Sequence, residues 1–422
     1  MSIQDILNAR LFKENSVYPN SYKDYIMYAF FKEDSEITQI YPRLHIIDSH
    51  NLETFWIDSG NYGEIVLDLH LLELIHFFSM INYYTYCNNF TPNFTTIICS
   101  YVLANHYLVK GMVEESLFYL EYYIHSFNTQ QIANMISYNG SSKSYELQLF
   151  RAVQIHFILL HEFGHIQYRK KAKNKSLLDF IKIEANIFND FAQEVNNFDI
   201  SSIEHILIKY KDLPPPEYYS NAMQECEKFF DLNLMLARVP KNVLKAVIEN
   251  YYQNSKMDLI DIEKDLDIIE ECYCDLYAVK TILDNFYFTA KCLSIENYKL
   301  ITDSVLCATT CIDIVNTARN CAIQQCREKD KTLFRKVLFR KVYIKLIYAY
   351  YKCGKWKGNL NGLVSHFDDF YQYNELIYRF CSEFLLFARD NYKVRNHVNL
   401  FSQEWYRLKK YILQNLKMPF YY

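Results

Sequence analysis

Glycine and proline are scarce in this sequence, with 8 of each among 422 residues. All-β architectures need many tight turns, which these two residues usually form, so their scarcity argues against such a fold and favours helices. An excess of one charge is also lacking, because the formal net charge is only −4. A nearly neutral chain has no global attraction to polyanions, so neither nucleic acid nor an anionic membrane is expected as a partner.

Disulfide, secretion and membrane signals are lacking as well. No two of the 12 cysteines have Cys-x-x-Cys spacing, so we interpret them as reduced, mostly buried apolar residues. The first residues lack the basic and apolar regions of a secretion signal. The most apolar stretches, 65–81 and 155–166, contain histidines and acidic residues, and no transmembrane segment is therefore expected. These absences predict a cytoplasmic protein.

The pattern of apolar residues predicts a mainly α fold with a small β-rich segment near the N-terminus. Three short β-prone runs occur at Leu44–Asp48, Thr54–Asp58 and Glu64–Asp68. Residues 1–35 and the chain from about Leu69 onward have apolar residues three and four apart, which is the helical period. Half of the residues are apolar, enough for a substantial core.

Breaks in this pattern, at 139–140, 214–216 and 353–358, suggest where regions begin and end. The first break precedes Ser144, which is a suitable N-cap for the helix that follows. The predicted regions are an N-terminal one with strands and helices at 1–140, a core at 141–290 with an inserted helical segment at about 175–255, and a helical one at 291–422.

The helix that opens near Ser144 carries an H-E-x-x-H motif, from His161 to His165. Histidines four residues apart lie on one face of a helix, so both imidazoles can bind the same metal ion. Glu162 lies at a neighbouring position, where it can accept a proton from water without binding the metal. The spacing predicts Zn²⁺ bound by His161 and His165, with Glu162 as the catalytic base. The competing interpretation is a pair of buried core histidines beside an incidental glutamate.

A site with two histidines needs a third protein ligand. The pattern Glu271-x-x-x-Asp275-x-x-Ala278 resembles the second zinc helix of the gluzincin metallopeptidases. In that family the glutamate completes the metal shell, and the aspartate orients a ligand histidine. The resemblance therefore implies Glu271 as the third metal ligand and Asp275 as the orienting carboxylate. The two residues lie on one helix face, as such roles require.

Other interpretations of this second segment stay open. Glu270 is the main competitor of Glu271 as the ligand. The segment could also be an acidic, solvated face, because acidic residues are frequent at 258–270. Cys272 and Cys274 are soft metal donors, but we interpret them as packing residues.

A closer resemblance is carried by Leu-Leu-His-Glu-Phe-Gly-His-Ile at 159–166, the helical build and the distant Glu-x-x-Cys-Asp-x-x-Ala at 271–278. Together they are similar to the phage-exclusion Lit peptidases, although only two helices carry the likeness. The resemblance implies a helical zincin-like core with two zinc-binding helices and an inserted subdomain. It also implies an intracellular, regulated protease in antiviral defence, with a translation factor such as elongation factor Tu as substrate and a phage-derived peptide as activator.

Several further residues have open roles. An oxyanion-stabilising group is expected in a gluzincin, and the sequence does not choose among His366, Tyr371, Tyr277 and His397. His156 lies about 140° from His161 around the helix, and we interpret it as a core or orienting histidine rather than a ligand.

The basic amphipathic segment 329–357 is interpreted as a solvated face over a core-facing stripe, with docking on an acidic protein, RNA or a membrane surface as the alternative. For the whole chain, the alternative to a zinc-dependent endopeptidase is a non-catalytic interaction protein with a structural or vestigial zinc site. Glu162 argues against that alternative, because a purely structural site needs no base.

Overall fold

The protein is mainly helical, with a small three-stranded sheet near the N-terminus, as the sequence predicts. The computed structural model describes residues 43–47, 52–59, 62–88, 94–126, 144–169, 175–197, 259–290, 295–323, 329–352 and 359–391. The predicted helix within 1–35, the three predicted breaks and His397 lie outside these residues.

The three β-prone runs form strands β1 (Arg43–Ile47), β2 (Phe55–Ser59) and β3 (Tyr62–Asp68). Their order in the sheet is β1-β3-β2, with β3 parallel to β1 and antiparallel to β2. The central strand β3 is almost completely buried at Ile65, Val66 and Leu67. Buried β-branched residues in the middle strand are what a sheet covered by helices requires.

Nine helices follow in the described part of the chain. They are α1 (Leu69–Asn88), α2 (Phe94–Val109), α3 (Val113–Ser126), α4 (Ser144–Arg169), α5 (Lys175–Asn196), α6 (Leu266–Ala290), α7 (Ile295–Ile323), α8 (Lys329–Lys352) and α9 (Leu360–Asn391). Helix α4 begins at Ser144, as the sequence predicts.

The step from sheet to helix is made at Asp68, the last residue of β3. Its buried carboxylate accepts a hydrogen bond from the backbone N–H of His70 at 2.9 Å and another from that of Glu53 at 3.3 Å. An acidic side chain at this position satisfies a backbone donor that the first helical turn leaves without an intrahelical partner. Asp68 therefore ends the strand and starts α1.

The chain divides into two compact units. The first comprises Met1–Lys173, Tyr273–Arg327 and Phe339–Tyr422, and the second comprises Asn174–Cys272 and Glu328–Leu338. The boundaries fall inside α6 and α8, so each of these two helices continues from one unit into the other. The regions predicted at 1–140, 141–290 and 291–422, and the insertion at about 175–255, stay predictions.

The first unit has one continuous apolar core beneath the sheet and between its helices. Helix α7 lies at the centre of this unit, because it packs against α1, α2, α4 and α9. By length and hydropathy its segment Tyr298–Arg319 could cross a membrane, but 72% of its apolar window is buried. A buried core helix meets the same criteria as a membrane span.

The second unit is smaller and is held together by α5, the residues before and at the start of α6, and the first part of α8. The rings of Phe188 and Phe334 pack with their centroids 5.3 Å apart. The side-chain amide of Asn189 donates to the carbonyl of Ile260 at 2.8 Å and accepts from its N–H at 2.7 Å. This pair of hydrogen bonds fixes the backbone that leads into α6.

Candidate metal centre

Helix α4 presents both histidines of the H-E-x-x-H motif on one face. The ring centroids of His161 and His165 lie 5.1 Å apart, with the rings nearly perpendicular. His165 is 8% exposed and His161 is half-buried. A four-residue spacing in a helix produces this arrangement, and it places two imidazole nitrogens beside each other at the edge of a dry core.

The second helix reaches this pair through Asp275. The Nδ1 atom of His161 lies 2.9 Å from Oδ1 of Asp275, whose side chain is only 4% exposed. An ionised carboxylate accepts, so Nδ1–H of the imidazole is the donor. The proton is thereby held on Nδ1, and the lone pair of Nε2 is left for a metal ion.

Glu271 lies one helical turn before Asp275 on α6 and joins the two histidines. One ligand atom from each of His161, His165 and Glu271 lies within 4.8 Å of the other two. These three residues could therefore hold a metal ion. Glu270 is buried and is not part of this group.

The donor atoms of this group fit a divalent transition metal. Two imidazole nitrogens and one carboxylate oxygen make three protein ligands, which is the number that catalytic zinc sites provide, leaving one position of a tetrahedron for water or substrate. Glu162 directly follows His161 in the sequence and is only 8% exposed.

The two helices approach closely because residue 164 is a glycine. A Cβ atom placed on Gly164 would lie 2.9 Å from Cα of Cys274 and 3.2 Å from its Sγ. Real Cβ atoms do not approach backbone this closely, so a side chain at 164 would push the helices apart. Gly164 is therefore important for the close packing of the two helices, although the H-E-x-x-H motif allows any residue at this position.

Strand β2 supports the second histidine through Trp56. The rings of Trp56 and His165 are stacked, with centroids 6.0 Å apart and planes at 16°. The guanidinium carbon of Arg169 lies 4.7 Å from the centroid of the Trp56 ring, within the range of a cation–π contact. Trp56 could not be predicted as a neighbour of the site, since nothing in the sequence connects this strand residue to a histidine 109 positions later.

Three of the oxyanion candidates, His366, Tyr277 and Tyr371, lie within the described residues. His366 bonds both carboxylate oxygens of the buried Asp303, at 2.9 and 3.1 Å. Tyr277 packs its ring against Phe163 and Tyr273, and Tyr371 lies beneath the guanidinium of Arg340. These contacts do not identify the oxyanion-stabilising group. That assignment stays a prediction.

The interpretations of His156 as a core or orienting histidine and of Cys272 and Cys274 as packing residues stay predictions. Desolvation by burial lowers the pKa of His156 to about 4, so this imidazole is neutral at physiological pH. Cys272 and Cys274 are buried and are not part of the three-residue group.

The chain was also compared with known proteins. No protein-family model, curated protein or solved structure matches it. The function proposed below therefore depends on the motif and on the geometry of the three ligands.

Proposed function

We propose that this protein is a zinc-dependent endopeptidase of the gluzincin type. The observation that carries the proposal is that α6 contributes two carboxylates to the histidine pair, one as a third donor and one bonded to Nδ1 of His161. A pair of core histidines needs neither, and an acidic solvated face would not bury Asp275. Both competing interpretations of the two motifs are therefore disfavoured by the same contact.

Each residue has a role that follows from its contacts. His161, His165 and Glu271 would hold Zn²⁺, and the bound ion would act as a Lewis acid on the scissile carbonyl and lower the pKa of water. Asp275 keeps His161 in the tautomer with Nε2 unprotonated. Glu162 accepts the proton of the attacking water and returns it to the departing amine, so that the C–N bond breaks without releasing an amide anion.

The substrate proposed is a cytosolic protein, and elongation factor Tu is the first one to test. The resemblance of the two motifs to the Lit peptidases supports this choice, together with a regulated role in phage defence or in a toxin-like system. In that proposal a phage-derived peptide activates the enzyme. Cleavage of one abundant translation factor would stop protein synthesis and would appear as growth arrest.

Proteomic labelling of new protein N-termini tests the proposal. Cells expressing the wild type are compared with cells expressing Glu162→Gln, which keeps the size and hydrogen-bonding capacity of the side chain but removes the base. Loss of a general base lowers the rate by about 10²–10⁴-fold, so new N-termini should appear only with the wild type. A parallel assay uses purified elongation factor Tu with and without phage capsid peptides.

The matched measurement is zinc content, which Glu162→Gln should retain and His165→Ala should lose. New N-termini that appear equally with Glu162→Gln would contradict the proposal. A wild type that binds zinc but produces no new N-termini, with or without the activating peptides, would favour a non-catalytic interaction protein.

A further inference from the structure

Helix α8 begins the basic segment that the sequence analysis interpreted as a solvated face. Within the second unit, Nη1 of Arg335 on this helix lies 3.0 Å from Oε2 of Glu271. The arginine side chain is only 19% exposed, and that of the glutamate is 35% exposed. We propose that Arg335 is a positioning residue that holds the carboxylate of Glu271 in place for the metal ion, an inference that rests on the proposed zinc site.

The chemistry of a carboxylate allows both partners at once. Two carboxylate oxygens offer about four lone-pair directions, so an arginine on Oε2 leaves the other oxygen for the metal. Fixing a long side chain such as glutamate costs rotamer entropy, and a partner that orders it before the ion arrives removes this cost from binding. Holding one oxygen also favours a monodentate ligand, which leaves coordination positions for water and substrate.

The place of Arg335 on its helix is fixed by packing. Its neighbour Phe334 is 1% exposed and packs on Phe188 of the same unit. An anchored aromatic residue directly before the arginine limits where the guanidinium can lie. The contact with Glu271 is therefore made by an ordered part of α8 rather than by a mobile surface side chain.

A second arginine of α8 shows what an ordinary ion pair on this helix looks like. Arg340 bonds Oδ1 of Asp368 through Nη2 at 2.8 Å and through Nε at 3.0 Å, and lies over the ring of Tyr371. Its partner does not belong to the three-residue group. The two arginines thus have the same charge and the same kind of partner, and differ in whether that partner is a proposed ligand.

The guanidinium of Arg335 also repels a divalent cation. This repulsion lowers metal affinity, whereas the ordering of Glu271 raises it. Removal of a hydrogen-bonding partner of a ligating carboxylate or imidazole typically lowers metal affinity by roughly 10–100-fold. The ordering effect should therefore dominate. Four carboxylates of α4 and α6 also remain to attract the ion, at Glu162, Glu270, Glu271 and Asp275.

The test is a measurement of zinc affinity by competition with a chromogenic chelator. Arg335→Ala should bind zinc about 10–100-fold more weakly than the wild type. Arg335→Lys should lie between the two, because an ammonium keeps the charge but not the planar fork. Thermal unfolding in excess chelator should leave both variants close to the metal-free wild type, which separates a weakened site from a weakened fold.

Two controls make the result specific. Arg340→Ala removes the same charge from the same helix and should leave zinc affinity unchanged. In a Glu271→Ala background the two histidines retain only weak zinc binding, which a weaker chelator measures. Removing Arg335 there should change this residual affinity less than about twofold, because a residue that acts through Glu271 has nothing left to position.

Zinc affinity of Arg335→Ala equal to or tighter than that of the wild type would overturn the inference and leave the proposed peptidase intact. Where the alanine variant does not fold, Arg335→Met keeps an aliphatic stem without a hydrogen-bond donor, and wild-type affinity in that variant is equally decisive. A wild type that binds no zinc would instead contradict the proposed function itself.

Discussion

The hydrogen bond between Nδ1 of His161 and Oδ1 of Asp275, 2.9 Å long, joins two residues that are 114 positions apart in sequence, on two different helices. Both side chains are largely removed from solvent, at 13% and 4% exposure. A bond of this kind decides which ring nitrogen of a histidine is protonated, and hence which can bind a metal ion. Through this contact, Asp275 on α6 sets the protonated ring nitrogen of His161 on α4.

Replacing Asp275 with asparagine should weaken zinc binding by about 10–100-fold, because the neutral amide no longer stabilises the proton on Nδ1. Chelator competition measures the effect. Asp267→Asn is the control, since Asp267 lies on the same helix but is exposed, and its affinity should match the wild type. Equal zinc affinity in the two variants would show that Asp275 does not orient the histidine.

Replacing Gly164 with alanine should destabilise the protein by about 1–3 kcal/mol, although alanine is the better helix former by about 1 kcal/mol. The added Cβ would meet the backbone of Cys274, which cannot move away as a side-chain end can. Gly362→Ala is the control, because its Cβ would meet only the side chain of Asn359. Urea unfolding measures both variants, and a Gly164→Ala protein as stable as its control would contradict the close approach.

Much of the fold and the site follows from local patterns. A strand alternates and a helix repeats every three to four residues, so the three strands and the start of α4 at Ser144 could be read from short windows. The ligand spacing of the motif is local as well, since His161 and His165 share one helix. The resemblance of a second helix to a known pattern then pointed to Glu271 and Asp275.

The contacts that could not be predicted from the sequence join residues on different secondary-structure elements, which no local repeat pattern relates to each other. Trp56 lies on a strand and Arg335 on a late helix, and each meets a proposed ligand only through tertiary packing. The charge of Arg335 did not single it out either, because it is one of many basic residues in the segment 329–357, and most such residues are solvated. Its contact with Glu271 connects it to the proposed site, and a tertiary contact of one cation among many cannot be read from composition.

Acid should destabilise the metal-free protein through two half-buried histidines. Burial lowers the pKa of His76 and of His156 to about 4, from 6.5 in the unfolded chain. The unfolded state therefore binds protons first as the pH falls, so the stability these groups contribute is present above pH 6.5 and is lost progressively toward pH 4. Each should cost on the order of 1–2 kcal/mol between pH 7 and pH 5.

The double variant His76→Gln, His156→Gln isolates this effect, because glutamine does not titrate. Urea unfolding in chelator at pH 7 and pH 5 should show a smaller loss of stability for the variant than for the wild type. The same loss in both proteins would mean that other groups cause the acid sensitivity.

The last prediction distinguishes Glu271 from Glu270 as the third ligand. Consecutive residues are about 100° apart around a helix, so only one of the two glutamates can share a face with Asp275, four residues after Glu271. The group of three donors contains Glu271. Glu271→Ala should therefore lose bound zinc, whereas Glu270→Ala should keep it and lose some stability, because Glu270 is buried.

Elemental analysis after dialysis against a weak zinc buffer tests this prediction. It should find one zinc per chain in the wild type and in Glu270→Ala, and far less in Glu271→Ala. Both substitutions remove one carboxylate from the same turn of α6, so a general change in charge would affect them alike. Only ligation separates them. If Glu270→Ala loses the metal and Glu271→Ala retains it, the helix would have to be rotated by one residue. Asp275 would then lie about 140° from the ligand, too far around the helix to bond His161.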